Sequence, residues 1–229
     1  MGGLNLLKGI KAMCGRFVVY NLREHFQIDQ ASVHVHPNYN VSPSQEIPLI
    51  LKEDGKNRLG SFHWGLVPFW AKDKSIGNRL INARRETVAE KPAFRAAFKK
   101  RRCLIPANGF YEWREKDGEK QPYYITLPSD DPFAFAGLWE IWDKEDPPYK
   151  SCLLITTDAA ESVLPIHNRM PVILKPEYYE KWLDPDSKDP KEILAGGIFT
   201  EFKFYPVSKR VNSAGWNEPG CIERVGDGG

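Results

Sequence analysis

The chain has 229 residues, 41% of them apolar and 12% aromatic, enough to bury a substantial core without help from a disulfide or a metal. Its 32 basic and 30 acidic residues leave a net charge of +2, too small to announce a nucleic-acid partner, so any such site has to be a local patch. The cysteines, Cys14, Cys103, Cys152 and Cys221, form no CxxC pair, which argues against a zinc ribbon and a dense disulfide framework and suits a reducing, cytoplasmic setting.

Taken in chain order, the apolar stretch at residues 4–10 is broken by Asn5, Lys8 and Gly9, which makes it a poor secretory segment. No later run approaches the ~20 apolar residues of a membrane span, so no membrane association is expected. A helical pattern covers residues 22–28, and alternation then predicts strands at 46–52 and 58–64. Residues 91–100 read as a helix. Strands follow at 101–105, 110–115 and 122–127, the last two joined by a hairpin at Asp117-Gly118, and again at 133–139 and 151–157. Helices are predicted at 176–183, with Pro176 at the start, and at 190–195, ending on Gly196-Gly197. The breaks are short turn clusters such as Asp146-Pro147-Pro148, so the pattern predicts one β-rich α+β domain.

Four segments carry polar groups in apolar or Gly/Pro-rich surroundings. In Met13-Cys14-Gly15-Arg16-Phe17, Cys14 reads either as a small buried hydrophobe or as a nucleophile. If translation starts at Met13, or the preceding peptide is removed, Cys14 carries a free α-amine beside its thiol. Ordinary pKa values of about 7.7–8.0 and ~8.5 leave part of both groups nucleophilic near neutral pH. In Gly109-Phe110-Tyr111-Glu112-Trp113, period-two alternation puts Tyr111 and Trp113 on one face and Glu112 on the other, toward a groove; a surface glutamate is the competing reading. The proline-bounded Pro165-Ile166-His167-Asn168-Arg169-Met170-Pro171 offers a histidine, a proton carrier or a solvated loop residue. Leu80-Ile81-Asn82-Ala83-Arg84 adds an amide that can orient a reacting group and a guanidinium that can clamp a phosphate. His34-Val35-His36 has two potential metal ligands but no third in sequence, so no metal is expected.

With Tyr39-Asn40-Val41-Ser42-Pro43, Trp64-Gly65, Glu86-Thr87, Pro206-Val207-Ser208 and Val211-Asn212, these motifs occur in an order and spacing that resemble the SOS response-associated peptidase family over residues 13–222. The resemblance implies a single barrel-like mixed sheet with flanking helices and a positively charged groove for single-stranded DNA. It also implies a stable covalent adduct with abasic sites and self-removal of leading residues. Carried over, Cys14 is the nucleophile, Asn82 positions it, Glu112 is the acid/base and His167 assists proton transfer at the sugar. Arg16 and Arg84 are similar to phosphate binders, and Pro43 and Trp70 to groups that stack on bases. Family members can carry a second aromatic where this chain has Ala71.

The expected chemistry is a thiazolidine crosslink built from the amine and thiol of Cys14, with no cofactor, made by a monomer on abasic-site single strands. Residues 1–13 are then a leader, removed or not translated, residues 14–222 the domain and 223–229 a short flexible tail. Two rival readings stand beside this one: a cysteine peptidase or amidohydrolase with other substrates, and a non-catalytic single-strand-binding module.

Overall fold

A computed structural model describes residues 14–22 and 25–226. The expected leader, residues 23 and 24 of the expected helix 22–28, and the last three residues of the expected tail lie outside them. Fourteen strands and three short α-helices appear in the order β1 (Phe17–Val19), β2 (Gln30–Ala31), β3 (Asn38–Val41), β4 (Glu46–Glu53), β5 (Lys56–Trp64), β6 (Asn82–Arg84), α1 (Arg95–Lys100), β7 (Arg102–Ala107), β8 (Gly109–Lys116), β9 (Glu119–Thr126), β10 (Phe133–Trp142), β11 (Tyr149–Asp158), β12 (Arg169–Pro171), β13 (Ile173–Leu174), α2 (Tyr179–Leu183), α3 (Pro190–Gly196) and β14 (Lys203–Pro206). Every strand expected from alternation is present. The β8–β9 hairpin turns at Asp117 and Gly118, whose φ values of 53° and 79° are the left-handed pair that a two-residue hairpin turn requires.

The helices are shorter than their patterns. Residues 91–94 form a bend and turns, and α1 begins only at Arg95. Residues 176–183 split into a 3-10 turn (Pro176–Tyr178) and α2. Around the expected helix 22–28, the described residues form a turn and a bend. The tail is anchored where it starts: Arg224 bridges to Val207, and the Val225 N–H donates to the Pro206 carbonyl at 3.0 Å.

Two sheets make one mixed, β-rich domain. The first runs β14-β9-β8-β1-β3, and the second β12-β11-β10-β7-β4-β5-β2, with β13 on β10 and β6 on β11. A parallel pairing of only two residues, Ser151 with His63 and Cys152 with Trp64, curls the second sheet into a barrel-like form that is not strictly closed. The inner faces share one core, in which Phe17 of β1 meets Trp64 of β5 at 5.3 Å between ring centres and Phe135 of β10 at 5.6 Å. Gly109 opens β8 because Tyr124 crosses it: a Cβ there would lie 2.3–2.4 Å from the Tyr124 ring. No helix of the described residues is long and apolar enough to cross a membrane.

Candidate active site

The site begins where β1 pairs with β8. Phe17 stands opposite Phe110, and the Tyr111 N–H donates to the Arg16 carbonyl at 3.0 Å, so the chain ahead of β1 runs back along β8 toward Glu112. Continued alternation would send Cys14 to the same side as Arg16. A φ of +50° interrupts it, a conformation uncommon for any residue but glycine. The Cys14 nitrogen instead donates to Glu112 Oε1 at 2.7 Å, and its thiol also bonds this carboxylate.

Both partners are buried, Cys14 at 2% exposure and Glu112 at 3%. Burial, followed by the Glu112 charge and hydrogen bond, pushes the Cys14 thiol well above its ordinary value, while Arg169 acts in the opposite sense. Burial also raises the Glu112 carboxyl, against the opposing pull of His167 and of hydrogen bonds from Cys14 and the Trp113 backbone. The site therefore holds a protonated thiol beside a carboxyl that is shifted toward neutral pH, the condition for proton exchange in both directions. The parity argument for β8 holds, since Tyr111 and Trp113 pack in a second, smaller cluster away from Glu112. Glu112 itself is buried rather than facing an open groove.

His167 is half-buried in a tight turn, its N–H bonded to the Val163 carbonyl at 3.1 Å. Its Nδ1 lies 3.1 Å from the Arg169 nitrogen and 3.2 Å from the Arg169 carbonyl oxygen, so the tautomer decides whether it accepts from the one or donates to the other. Arg169 holds the turn in place. Its guanidinium forks onto Glu86 at 3.0 and 3.1 Å and also reaches Asp158 at 2.6 Å and the Thr156 carbonyl at 3.1 Å.

Cys14 and Glu112 thus meet from distant parts of the chain, and the charge of His167 acts on Glu112 and that of Arg169 on Cys14. Asn82 lies half-buried on β6 opposite Leu154 of β11, and Arg84 is exposed at the end of the same strand, opposite Thr156. Arg16 turns away from Glu112: Nη1 donates to Asn40 Oδ1 at 2.7 Å and to the Val211 carbonyl at 2.6 Å, and Nη2 to the Asn212 carbonyl at 3.3 Å. Pro43 is half-buried in the turn after β3, and Trp70 is 46% exposed on the segment after β5. Sequence reasoning gave Arg169 no role; its signal was its place beside His167 in a proline-bounded segment.

Residues 13–214 match the family described as SOS response associated peptidase (SRAP). The chain belongs to the SRAP family. It is 45% identical to the abasic site processing protein YoqW of Bacillus subtilis, over 92% of this chain and 99% of that one. It is 29% identical to the abasic site processing protein YedK of Escherichia coli, over 88% and 95%. Among vertebrate relatives, the abasic site processing protein HMCES of Gallus gallus is 33% identical, over 81% of this chain and 66% of that one. A crystal structure of a Bacteroides thetaiotaomicron protein superimposes with a TM-score of 0.72 at 29% identity, covering 82% of this chain and 85% of that one. A phage-related protein from Bordetella bronchiseptica gives 0.69 at 30% identity, covering 86% and 95%. The β-rich fold is that of these SRAP relatives.

Proposed function

We propose that this SRAP chain processes abasic sites in single-stranded DNA by capturing the ring-opened sugar on Cys14, acting as a monomer. The observation that carries the reading is the seating of both Cys14 nucleophiles, nitrogen and thiol, on the buried Glu112 carboxylate, within the field of His167. Relatives along nearly the whole chain bear the name abasic site processing protein, which supports the substrate.

For the nitrogen to act, Cys14 has to be the first residue of the active protein, since an amide nitrogen is not nucleophilic. The same thiol, attacking the carbonyl before it, is the candidate for removing residues 1–13, as in other N-terminal nucleophile chemistry. His167 passes a proton to the ring oxygen as the sugar opens, and regains one from the C1′ hydroxyl, which becomes the aldehyde carbonyl. The Cys14 amine then attacks C1′, Glu112 carries one nitrogen proton to the new alkoxide and then a second to the hydroxyl so formed, and that hydroxyl leaves as water. The resulting imine carbon accepts the thiol sulfur, whose proton ends on the former imine nitrogen, closing a five-membered thiazolidine. Effective molarities of about 10⁵–10⁸ M for well-oriented intramolecular attack favour closure over hydrolysis. The raised thiol pKa suits this order, in which the amine reacts first and Glu112 aids the thiol afterwards. Asn82 orients the reacting group, Arg84 and Arg16 meet phosphates, and Pro43 and Trp70 face bases.

Protein that begins at Cys14 is incubated with a single-stranded oligonucleotide carrying one abasic site and run on a denaturing gel. A heat-stable shifted band is expected, absent for Cys14→Ala, which still binds the strand non-covalently. Turnover without a crosslink would favour a hydrolase, and binding without a Cys14-dependent band would favour a simple binding module.

A further inference from the structure

Four large apolar side chains are well exposed among the described residues, and two of them, Phe69 at 51% and Trp70 at 46%, are consecutive. Surface loops ordinarily hold such rings loosely. This segment is anchored on both sides by buried groups. Ahead of the pair, the Val67 N–H donates to the buried Ser151 hydroxyl at 2.9 Å. Behind it, the Ala71 N–H closes onto the Pro68 carbonyl at 2.8 Å, and the Ala71 carbonyl accepts from Trp142 Nε1 and Lys144 Nζ, each at 2.8 Å. Ala71 is itself 2% exposed and packs with Val67 and Trp142.

Between these anchors, the Phe69 N–H bonds to the carboxylate of Glu140. Glu140 is 3% exposed and is clamped by Arg101 through Nε at 2.6 Å and Nη2 at 2.9 Å. Desolvating such a pair is costly, and apolar side chains of similar volume often hold a fold at least as well. An apolar residue at position 140, however, has nothing to accept the Phe69 N–H. The buried carboxylate fits a need to fix the aromatic segment rather than a need for stability.

We propose that Glu140 and Trp142 are positioning residues for a two-ring platform, Phe69 and Trp70, that stacks on an unpaired base beside the lesion. This rests on the reading above that Trp70 faces DNA, and it goes further in naming Phe69 as the second ring and the buried groups that aim the pair. Ala71 cannot serve as the second contact, because its side chain is buried in a cluster with Val67 and Trp142. Rings held in their bound orientation give up little freedom when a base arrives, so the anchors act on affinity.

The test uses full-length protein and a single-stranded oligonucleotide carrying a tetrahydrofuran abasic analogue, which cannot form the crosslink, with binding read by fluorescence anisotropy. The Phe69→Ala/Trp70→Ala double variant should weaken binding by about five- to 150-fold, the range of aromatic–base stacking. Trp142→Phe, which keeps a ring and loses the N–H, and Glu140→Met, which leaves the Phe69 N–H without an acceptor, should each weaken it by about two- to tenfold, the worth of one hydrogen bond. Lys144→Met, at an exposed position where folding is not at stake, should give a smaller loss. The decisive readout is coupling: all three changes should have no further effect once both rings are gone, whereas a general loosening of the fold would act with or without them. If the double ring variant binds like the wild type, the DNA reading of this segment falls and the proposal falls with it. If the ring variant is weak but the three anchors are silent, or act equally without the rings, the stacking reading stands and the positioning role is overturned.

Discussion

Replacing Glu112 with glutamine tests the proposed chemistry with little change of shape. The amide keeps an oxygen for the Cys14 nitrogen, which now sits 2.7 Å from Oε1, and keeps nearly the same volume in a site only 3% exposed. What disappears is the proton acceptor. General acid–base assistance is worth about 10²–10⁴-fold, so the crosslinking rate should fall by that factor, or about 3–5 kcal/mol in the barrier. Stability should move the other way. Burial raises the Glu112 carboxyl, only partly opposed by His167 and by the bonds from Cys14 and Trp113. A group whose folded pKa is raised contributes stability that is fully present below its unfolded pKa, about 4.3, and lost as pH rises through the folded value. The substituted amide does not ionise, so the melting temperature of Glu112→Gln relative to wild type should climb with pH through that window. Single-turnover crosslinking across a pH series, read on denaturing gels, and thermal unfolding at pH 5 and pH 8 check the two halves. A rate loss below tenfold would refute the proton-transfer role. A stability difference that shrinks as pH rises would refute the argument from burial.

Other outcomes follow from the same contacts. Arg169→Met should cost about 1–3 kcal/mol in denaturant unfolding at pH 7, a modest figure because Glu86 and Asp158 are 40% and 80% exposed and can rehydrate. Burial raises the Glu86 carboxyl, but its bonds to Arg169 outweigh this and leave it lowered, so its contribution is present above about pH 4.3 and lost as pH falls through the folded value. The gap between wild type and Arg169→Met should therefore narrow in acid; a constant gap would mean that Glu86 is not the partner that matters. Gly109→Ala, which forces a methyl into the buried Tyr124 ring, should cost about 3 kcal/mol or more, and a near-neutral melt would show that the ring can move aside. Binding to single strands should weaken with salt, with a slope of about −0.7 per phosphate contact, and the exposed Arg84→Ala should remove about one contact. Arg16→Ala, by contrast, breaks three internal bonds and should lower stability as well, which a melt beside the salt titration will separate.

All strands of six or more residues were legible in the sequence; burial alternates most clearly in β5, while β7, β10 and β11 are buried on both faces. The strands that were not legible, β1, β2, β3, β6, β12, β13 and β14, have two to four residues each, and all but β3 lie on a longer neighbour: β6 and β12 both lie on β11. Two residues are too few to carry a period. At the site, the side chosen by Glu112 was readable from parity, while its depth was not, since burial depends on what the other sheet lays over β8. The turn of Cys14 toward Glu112 was hidden for a similar reason, because a left-handed non-glycine residue leaves no mark in composition. Arg16 read as a phosphate binder from its place in a motif; its bonds to residues 211 and 212, beside the one to Asn40, arise from a contact almost two hundred positions away.

That last contact sets an order of assembly. Arg16 stands two residues from the proposed nucleophile, and its anchors belong to a segment the ribosome makes long after Cys14; Asn40 is tied to the same segment through the carbonyls of Val211, Ser213 and Trp216. A nascent chain stalled near residue 200 has Cys14 and Glu112 already synthesised, yet lacks the brace that seats the strand leading to Cys14. On the proposed chemistry, the Cys14 end is completed only when residues 211–216 arrive, and a growing chain does not carry a finished trap for aldehydes. Ribosome-bound chains released at residue 200 and at residue 226, compared for capture of a small aldehyde probe, should differ sharply, and equal labelling would show that the seat forms without its brace.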